Sequence, residues 1–156
     1  MGTEDLRQRA QRLAADPSNW TQLVRHDPLE RVFEPIVDEP DVEGWLICWM
    51  PGHDTGFHDH DISSGAVTVL SGQVLEERLT VGRVGMLSSI YSAGETFEFA
   101  PSDIHRVTHA GGEPTVTLHV YSPRIERPGA YTVSADGVLS RHSVPKNQEL
   151  RPLRAA

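Results

Sequence analysis

The chain has 156 residues and a mass of 17.3 kDa, which fits one domain large enough to bury a hydrophobic core. Its formal net charge is −8 and its single lysine is Lys146, which argues against nucleic acids and anionic membranes as partners because both require a basic face. No apolar run approaches the roughly 18 residues of a transmembrane helix, and a single cysteine, Cys48, favours a reducing compartment. We therefore expect a cytoplasmic protein, a monomer or weak homodimer, with neither nucleic acid nor membrane as a partner.

The first part of the chain, residues 1–28, is predicted to be a helical segment packed on the remainder. Leu6, Ala10 and Leu13 recur at helical spacing, which is typical of an amphipathic helix. A second short helix is predicted over Trp20 to Arg25.

Residues 29–145 form a succession of short β-type runs separated by Gly, Pro, Asp and Ser. The predicted strands are RVFEPIV, GWLICWM, GAVTVLSG, QVLEERLTV, VGMLSSIYS, ETFEFA, HRVTHA, TVTLHVYSP, AYTVSADG and VLSRHSV. Strands this short and this regularly spaced favour a sandwich or a closed barrel. Residues 146–156 form a polar tail, and we expect the whole of 1–156 to be a single, mainly β domain.

Histidines provide the strongest chemical signal in the sequence. His58 and His60 form an H-x-H pair, and residues i and i+2 of a strand point to the same face, so both imidazoles can reach one metal ion. His105 lies in a second β segment, and His119 and Tyr121 form another pair two residues apart. A single histidine is more often an ordinary core or surface residue, so the spacing around the pair decides the interpretation.

That spacing resembles the two motifs of the cupin superfamily. Gly52, the H-x-H pair and Gly72 match the first motif, G-x5-H-x-H-x(3,4)-E-x6-G, with Gly65 where the glutamate would be. The second motif, G-x5-P-x-G-x2-H-x3-N, is matched more loosely by Gly94, Pro101, His105 and His109. The resemblance implies a cupin-type β-barrel, also called a double-stranded β-helix or jelly roll, behind a short helical N-terminal cap.

Gly65 removes the carboxylate that ordinary cupins add to their three histidines. Three neutral imidazoles leave a divalent metal with open positions, which suits catalysis better than a closed structural site. Imidazole ligands suit iron, zinc, copper or nickel, and residue type alone does not choose among these metals. His109 lies four residues after His105 and is either a neighbour of the ligands or a rival ligand.

LICW before a glycine turn, followed in order by HDH, IHRV and LHVYSP, resembles the cysteine dioxygenase family of thiol dioxygenases over about Trp45 to Pro123. In that family a three-histidine iron(II) centre adds both atoms of dioxygen to a thiol sulfur and yields a sulfinate. The resemblance therefore implies Fe(II) as cofactor, with O2 and a small thiol such as L-cysteine or 3-mercaptopropionate as reactants.

Site residues follow by position from the same resemblance. It implies that the metal ligands are His58, His60 and His105. It implies that the catalytic series, Ser-His-Tyr in the family, consists here of Thr117, His119 and Tyr121. In that arrangement Tyr121 would hydrogen-bond the substrate or oxygen while His119 orients it.

Two positions depart from the family's pattern. The animal enzymes carry a cysteine at the position of Gly65 that cross-links to the active-site tyrosine, so Tyr121 is expected to be unmodified, as in bacterial members. The cysteine-specific enzymes hold the substrate carboxylate with an arginine on the strand before LICW, and Arg31 is the candidate here. Alternatively, Arg31 is a surface residue paired with Glu30 or Glu34. Arg106 is expected to be structural.

Three functions remain open at this point. The first is an iron(II)-dependent thiol dioxygenase. The second is a metal-binding cupin that holds a small ligand without oxygen chemistry, and the third is a zinc or manganese cupin isomerase or hydrolase. The series ending in Tyr121 favours the first, because a barrel that only holds a ligand has no need of a tyrosine directed at the metal.

Overall fold

The computed structural model of the chain describes residues 3–79, 86–146 and 149–152. Within them lie one α-helix, α1 (Thr3–Ala15), and two 3-10 turns, Pro17–Asn19 and Thr21–Leu23. The strands are β1 (Val32–Asp38), β2 (Glu43–Trp49), β3 (His58–Asp59), β4 (Ser64–Ser71), β5 (Gln73–Leu79), β6 (Met86–Ser92), β7 (Thr96–Phe99), β8 (His105–Ala110), β9 (Thr115–Ser122), β10 (Gly129–Val133) and β11 (Leu139–Ser143). The ends of two predicted strands, 80–81 and 84–85, and the tail residues 147–148 and 153–156 lie outside the described residues.

The strands form two antiparallel sheets that face each other. One sheet has the order β1-β2-β9-β4-β7, and the other has the order β11-β10-β3-β8-β5-β6. The main hydrophobic cluster joins Trp49 and Val67 of the first sheet to Val74 and Val107 of the second. The core therefore lies between the sheets, as the prediction of a cupin-type barrel requires.

The N-terminal helix covers the outer face of the five-stranded sheet. Leu6 and Ala10 are fully buried against a cluster that includes Leu118 and Val120 of β9, which confirms the predicted amphipathic helix. Among the described residues, no helix combines the length and the apolar character needed to cross a bilayer.

The second predicted helix, over Trp20 to Arg25, is wrong. Two 3-10 turns lie there, and Trp20 separates them with φ −140° and ψ −19°. Its indole donates a hydrogen bond to the carbonyl of Ala14 at 3.2 Å, and its ring packs against the core. Six residues are too few for a helix that is stable on its own, so the packing of the partly buried tryptophan ring sets the local conformation.

Strand β9 is the element that positions most of the site. It lies between β2 and β4, and every one of its positions is buried. Its outward side chains pack beneath α1, whereas Thr117, His119 and Tyr121 alternate with them and point into the barrel. A strand covered on both faces explains why polar residues in TVTLHVYSP occupy buried positions.

Candidate active site

Three histidines converge inside the barrel. His58 begins β3, His60 follows the end of that strand, and His105 begins β8 directly opposite His58. Their side chains each offer one ligand nitrogen within 4.8 Å of the others, and none of the three residues is more than 3% exposed. The structure thus brings together the residues that the sequence singled out as metal ligands.

Hydrogen bonds orient two of these rings. His58 donates from Nδ1 to the carbonyl of Gly56 at 2.9 Å, and His105 donates from Nδ1 to the carboxylate of Glu76 at 2.7 Å. A proton on Nδ1 leaves the Nε2 lone pair of each ring available to a metal. His60 Nδ1 is buried without a hydrogen-bond partner among the described residues, and its ring stacks on Phe99 with centroids 4.2 Å apart.

Burial keeps these imidazoles neutral. It lowers the pKa of His58 to about 4, and it lowers the pKa values of His60 and His105 well below the usual range, with neighbouring imidazoles adding to the effect. Neutral imidazole is the form that binds a metal. Three neutral donors with open lone pairs fit a divalent transition metal that keeps positions free for other ligands.

Glu76 is a functional residue that the sequence interpretation missed. It is 3% exposed, and Arg78 binds its carboxylate through Nε at 3.0 Å and Nη2 at 3.1 Å. Burial raises the pKa of Glu76, while Arg78 and then His58 act in the opposite direction. The available signal was its place two residues after the buried Val74, because an inward-facing glutamate needs a partner.

A second network supports the H-x-H segment from behind. Asp59 accepts hydrogen bonds from Tyr131 at 2.5 Å and from Arg141 Nε at 2.8 Å, and it also accepts from the backbone N–H of Gly129 at 3.1 Å. Burial alone would raise the pKa of Asp59, but the bonds from Arg141 and Tyr131 outweigh it and lower the pKa to about 2. Asp59 lies between His58 and His60 in the chain, and its charged carboxylate therefore links this segment to β10 and β11.

A chain of hydrogen bonds leads to the tyrosine. The indole N–H of Trp49 donates to Thr117 Oγ1 at 2.8 Å, Thr117 Oγ1 lies 2.6 Å from His119 Nε2, and His119 Nδ1 lies 3.0 Å from the Tyr121 hydroxyl. The series implied by the family resemblance is therefore contiguous in space. The structure adds Trp49 to the start of this series.

Tyr121 lies beside the histidine cluster. Its ring stacks on that of His60 with centroids 5.4 Å apart. Burial raises the pKa of Tyr121 and lowers the pKa of His119 to about 3, so the phenol stays protonated and the imidazole stays neutral near pH 7.

Gly65 lies opposite Tyr121 in the pairing of β4 with β9. A Cβ atom at this position would lie 2.2 Å from Cζ of Phe99 and 2.9 Å from Cδ1 of Tyr121. The Phe99 ring therefore fills the space that a side chain at residue 65 would need. Cys48 packs on another face with Leu46 and Val116, away from this tyrosine.

Arg31 is buried, so the alternative of a surface residue paired with Glu30 or Glu34 is wrong. The residue is 5% exposed and lies on the wall of the cavity. Its guanidinium is already paired, because Nε donates to Glu149 Oε1 at 2.6 Å and Nη2 contacts the carbonyl of Leu150. The sequence offered no sign of this partner, which comes from the tail.

The remaining candidates lie away from the cluster. His109 Nε2 is 2.5 Å from the carbonyl of Glu113, and it is not among the histidines that converge. Arg106 binds the carboxylate of Asp54 through Nε at 2.9 Å, as expected of a structural residue.

One cavity joins these groups. It has a volume of about 980 Å³, and its walls include the three clustered histidines together with Arg31, His119 and Tyr121. A space of this size admits a small organic molecule. The arrangement therefore combines a set of metal donors, a protonated phenol and a buried cation within a single chamber.

Known proteins resemble this chain over most of its length. The family model described as Cysteine dioxygenase type I matches residues 5–134. Cysteine dioxygenase type 1 of Danio rerio is 26% identical over 134 residues, which cover 79% of this chain and 66% of that protein. The Homo sapiens protein of the same name is 26% identical over 119 residues, which cover 70% of this chain and 59% of that protein. The chain thus spans less than two thirds of either relative.

Solved structures agree on the fold. An uncharacterized conserved protein with a double-stranded beta-helix domain from Klebsiella pneumoniae superposes with a TM-score of 0.58 at 18% identity, covering 78% of this chain and 86% of its own. This likeness confirms the predicted cupin-type barrel and says nothing about activity. Because the family model extends well beyond the segments LICW, HDH, IHRV and LHVYSP that suggested it, we conclude that the chain belongs to the cysteine dioxygenase type I family.

Proposed function

We propose that the protein is an iron(II)-dependent thiol dioxygenase that converts a small thiol such as L-cysteine or 3-mercaptopropionate to its sulfinate. The reaction is RSH + O2 → RSO2H, in which both oxygen atoms end on sulfur and no external reductant is consumed. The observation that carries the proposal is the convergence of His58, His60 and His105 beside the ring of Tyr121 in one cavity. Membership of the cysteine dioxygenase type I family supports the same reaction.

Iron would be held by His58, His60 and His105. When bound, iron(II) supplies the redox chemistry that allows dioxygen to add to a thiol sulfur. The chain's own contribution begins with orientation, because the carbonyl of Gly56 and the carboxylate of Glu76 keep the Nδ1 protons in place and direct the Nε2 atoms of His58 and His105 inward.

The hydrogen-bond series defines which atom can donate into the cavity. Thr117 Oγ1 accepts from Trp49 and lies 2.6 Å from His119 Nε2 but 3.5 Å from the carbonyl of Ile47, so its proton goes to the imidazole. His119 then carries its own proton on Nδ1 and donates it to the Tyr121 oxygen. The phenolic hydrogen of Tyr121 is consequently free to donate to a reactant in the cavity, which is the role we propose for it.

Arg31 is the proposed carboxylate-binding group. A guanidinium suits a carboxylate because its planar fork donates two parallel hydrogen bonds. The aromatic rings of Phe33 and Trp49 lie 5.3 and 5.0 Å from its Cζ and exclude water from it, which strengthens an ionic contact there. A reducing cytoplasm, where small thiols remain reduced, is the compartment that this substrate class implies.

Oxygen consumption tests the proposal. Protein loaded anaerobically with iron(II) is supplied with oxygen and with L-cysteine, cysteamine or 3-mercaptopropionate in turn, and the sulfinate is quantified by mass spectrometry. We expect one O2 consumed per sulfinate formed with at least one thiol, and background uptake in His60→Ala. Metal uptake without oxygen consumption for every thiol would refute the dioxygenase and leave the two alternatives, a ligand-binding cupin and a zinc or manganese isomerase or hydrolase.

A further inference from the structure

The guanidinium that should receive a substrate carboxylate already holds one from its own chain. The Arg31 side chain is 3% exposed and that of Glu149 is 16% exposed, and Nε of the arginine lies 2.6 Å from the glutamate oxygen. Arg31 Nη2 also contacts the Leu150 carbonyl. An internal carboxylate therefore occupies the contact that a substrate would need.

Residues 149–152 are seated on the rim of the cavity rather than projecting from it. Arg151 binds the other oxygen of Glu149 at 2.8 Å and reaches Glu30 at 3.5 Å. Pro152 lies so close to Gly56 that a Cβ atom there would be 2.7 Å from the proline Cα. The same glycine supplies the carbonyl that orients His58, so this segment, the arginine and the metal-binding loop form one continuous packing arrangement.

The charges of Arg31 and Glu149 mean that a ligand carboxylate must compete with Glu149 for the guanidinium. Burial lowers the pKa of Arg31 while Glu149 raises it, and the guanidinium stays protonated because its ordinary pKa is so high. Burial acts to raise the pKa of Glu149, but Arg31 outweighs it and lowers the value, so the glutamate is ionised near neutral pH. A second carboxylate cannot share a buried cation with Glu149 without strong repulsion, so it has to displace the glutamate first.

We propose that Glu149 is a specificity-determining residue that competes with the carboxylate of the ligand for Arg31. The tail then weakens the binding of thiols that carry a carboxylate and leaves the binding of thiols without one unchanged. This inference rests on the proposed function in one respect, namely that Arg31 faces the thiol in the reactive complex. Glu149 thereby sets the preference of the chain among small thiols.

Ligand binding to the metal-free protein tests the inference without catalysis. The dissociation constants of 3-mercaptopropionate and of the neutral 2-mercaptoethanol are measured by titration calorimetry for wild type, Glu149→Gln and Glu30→Gln. Glu149→Gln keeps a hydrogen-bond acceptor near Arg31 but removes the charge, and we expect it to bind 3-mercaptopropionate at least about tenfold more tightly, as for a removed charge competitor. Glu30→Gln removes a charge from the same rim without contacting Arg31, and its contact with Arg151 at 3.5 Å is exposed and weak, so both constants should change far less than in Glu149→Gln.

Several results would overturn the inference. It fails if Glu149→Gln and wild type bind 3-mercaptopropionate equally, if Glu149→Gln shows no measurable binding, or if both thiols gain affinity equally, which would indicate mere opening of the rim. Glu149→Asp retains the charge and should not reproduce the gain. The two proposals are tested by different readouts. If the iron-loaded protein consumes no oxygen with any thiol, the dioxygenase proposal is refuted. The role of Glu149 is judged separately, from the dissociation constants of the metal-free protein.

Discussion

Replacement of Glu76 tests whether a residue that contacts a metal ligand, and not the metal itself, contributes to metal affinity. Glu76 fixes the Nδ1 proton of His105 at 2.7 Å, and both side chains are almost completely buried. Loss of such a partner typically lowers metal affinity 10- to 100-fold, or about 1.4–2.7 kcal/mol. We expect the loss of affinity in Glu76→Gln to be about tenfold, because a neutral amide oxygen can still accept the hydrogen bond from His105. The loss in Glu76→Ala should be about 100-fold, because alanine cannot accept a hydrogen bond.

Competition for iron(II) or zinc against a chelating indicator gives the affinity directly. Glu77→Gln is the matched control, since Glu77 adjoins Glu76 but lies 3.8 Å from Arg106 instead of contacting a histidine. We expect metal affinity to be the same in wild type and Glu77→Gln, lower in Glu76→Gln and lowest in Glu76→Ala. Wild-type affinity in Glu76→Ala, or an equal loss in Glu77→Gln, would refute the idea that this carboxylate orients a ligand.

Other perturbations test separate parts of the site. Thr117→Val removes the hydroxyl between Trp49 and His119. We expect kcat for thiol oxidation to fall about tenfold, the equivalent of one lost hydrogen bond, while the metal content stays unchanged. An unaltered kcat would contradict the proposed series. Gly65→Ala places a Cβ atom against Phe99 and should lower the free energy of unfolding by about 1–3 kcal/mol in urea titrations, whereas unchanged stability would show that the ring has room to move. Burial lowers the pKa of His119 from 6.5 to about 3, so below pH 6.5 the unfolded state binds a proton that the folded state does not. The free energy of unfolding of the metal-free protein should therefore fall between pH 7.5 and pH 5, by up to about 1.4 kcal/mol per pH unit for each such histidine, and a flat or rising profile would contradict the burial of a neutral ring.

The sequence predicted those features that periodicity and local spacing encode. Alternation in TVTLHVYSP placed His119 and Tyr121 on one face of a strand, and the H-x-H pair placed His58 beside His60, and both arrangements occur in the structure. The helix containing Leu6 was predictable for the same reason, because its apolar residues share one side. Local patterns suffice where a single element carries the information.

The features that were missed all depend on contacts between distant segments. Glu76 lies 29 residues from His105 in the chain, and Glu149 lies 118 residues from Arg31. Strand alternation can indicate that Glu76 faces inward, but no local pattern identifies His105 or Arg31 as a partner, because these contacts form only when the barrel closes and the tail returns across its rim. Trp20 illustrates the converse, because a tertiary contact of its ring broke a helix that local propensity favoured.

The number of iron ions bound per chain tests the central claim most directly. Wild type and the single variants His58→Ala, His60→Ala, His105→Ala and His109→Ala are loaded anaerobically with iron(II), desalted and analysed for metal. We predict one ion per chain for wild type and for His109→Ala, whose Nε2 contacts a backbone carbonyl instead of the cluster, and a large loss for each of the other three. Retention of iron by any of those three variants at the wild-type level, or an equal loss in His109→Ala, would contradict a single metal held by His58, His60 and His105.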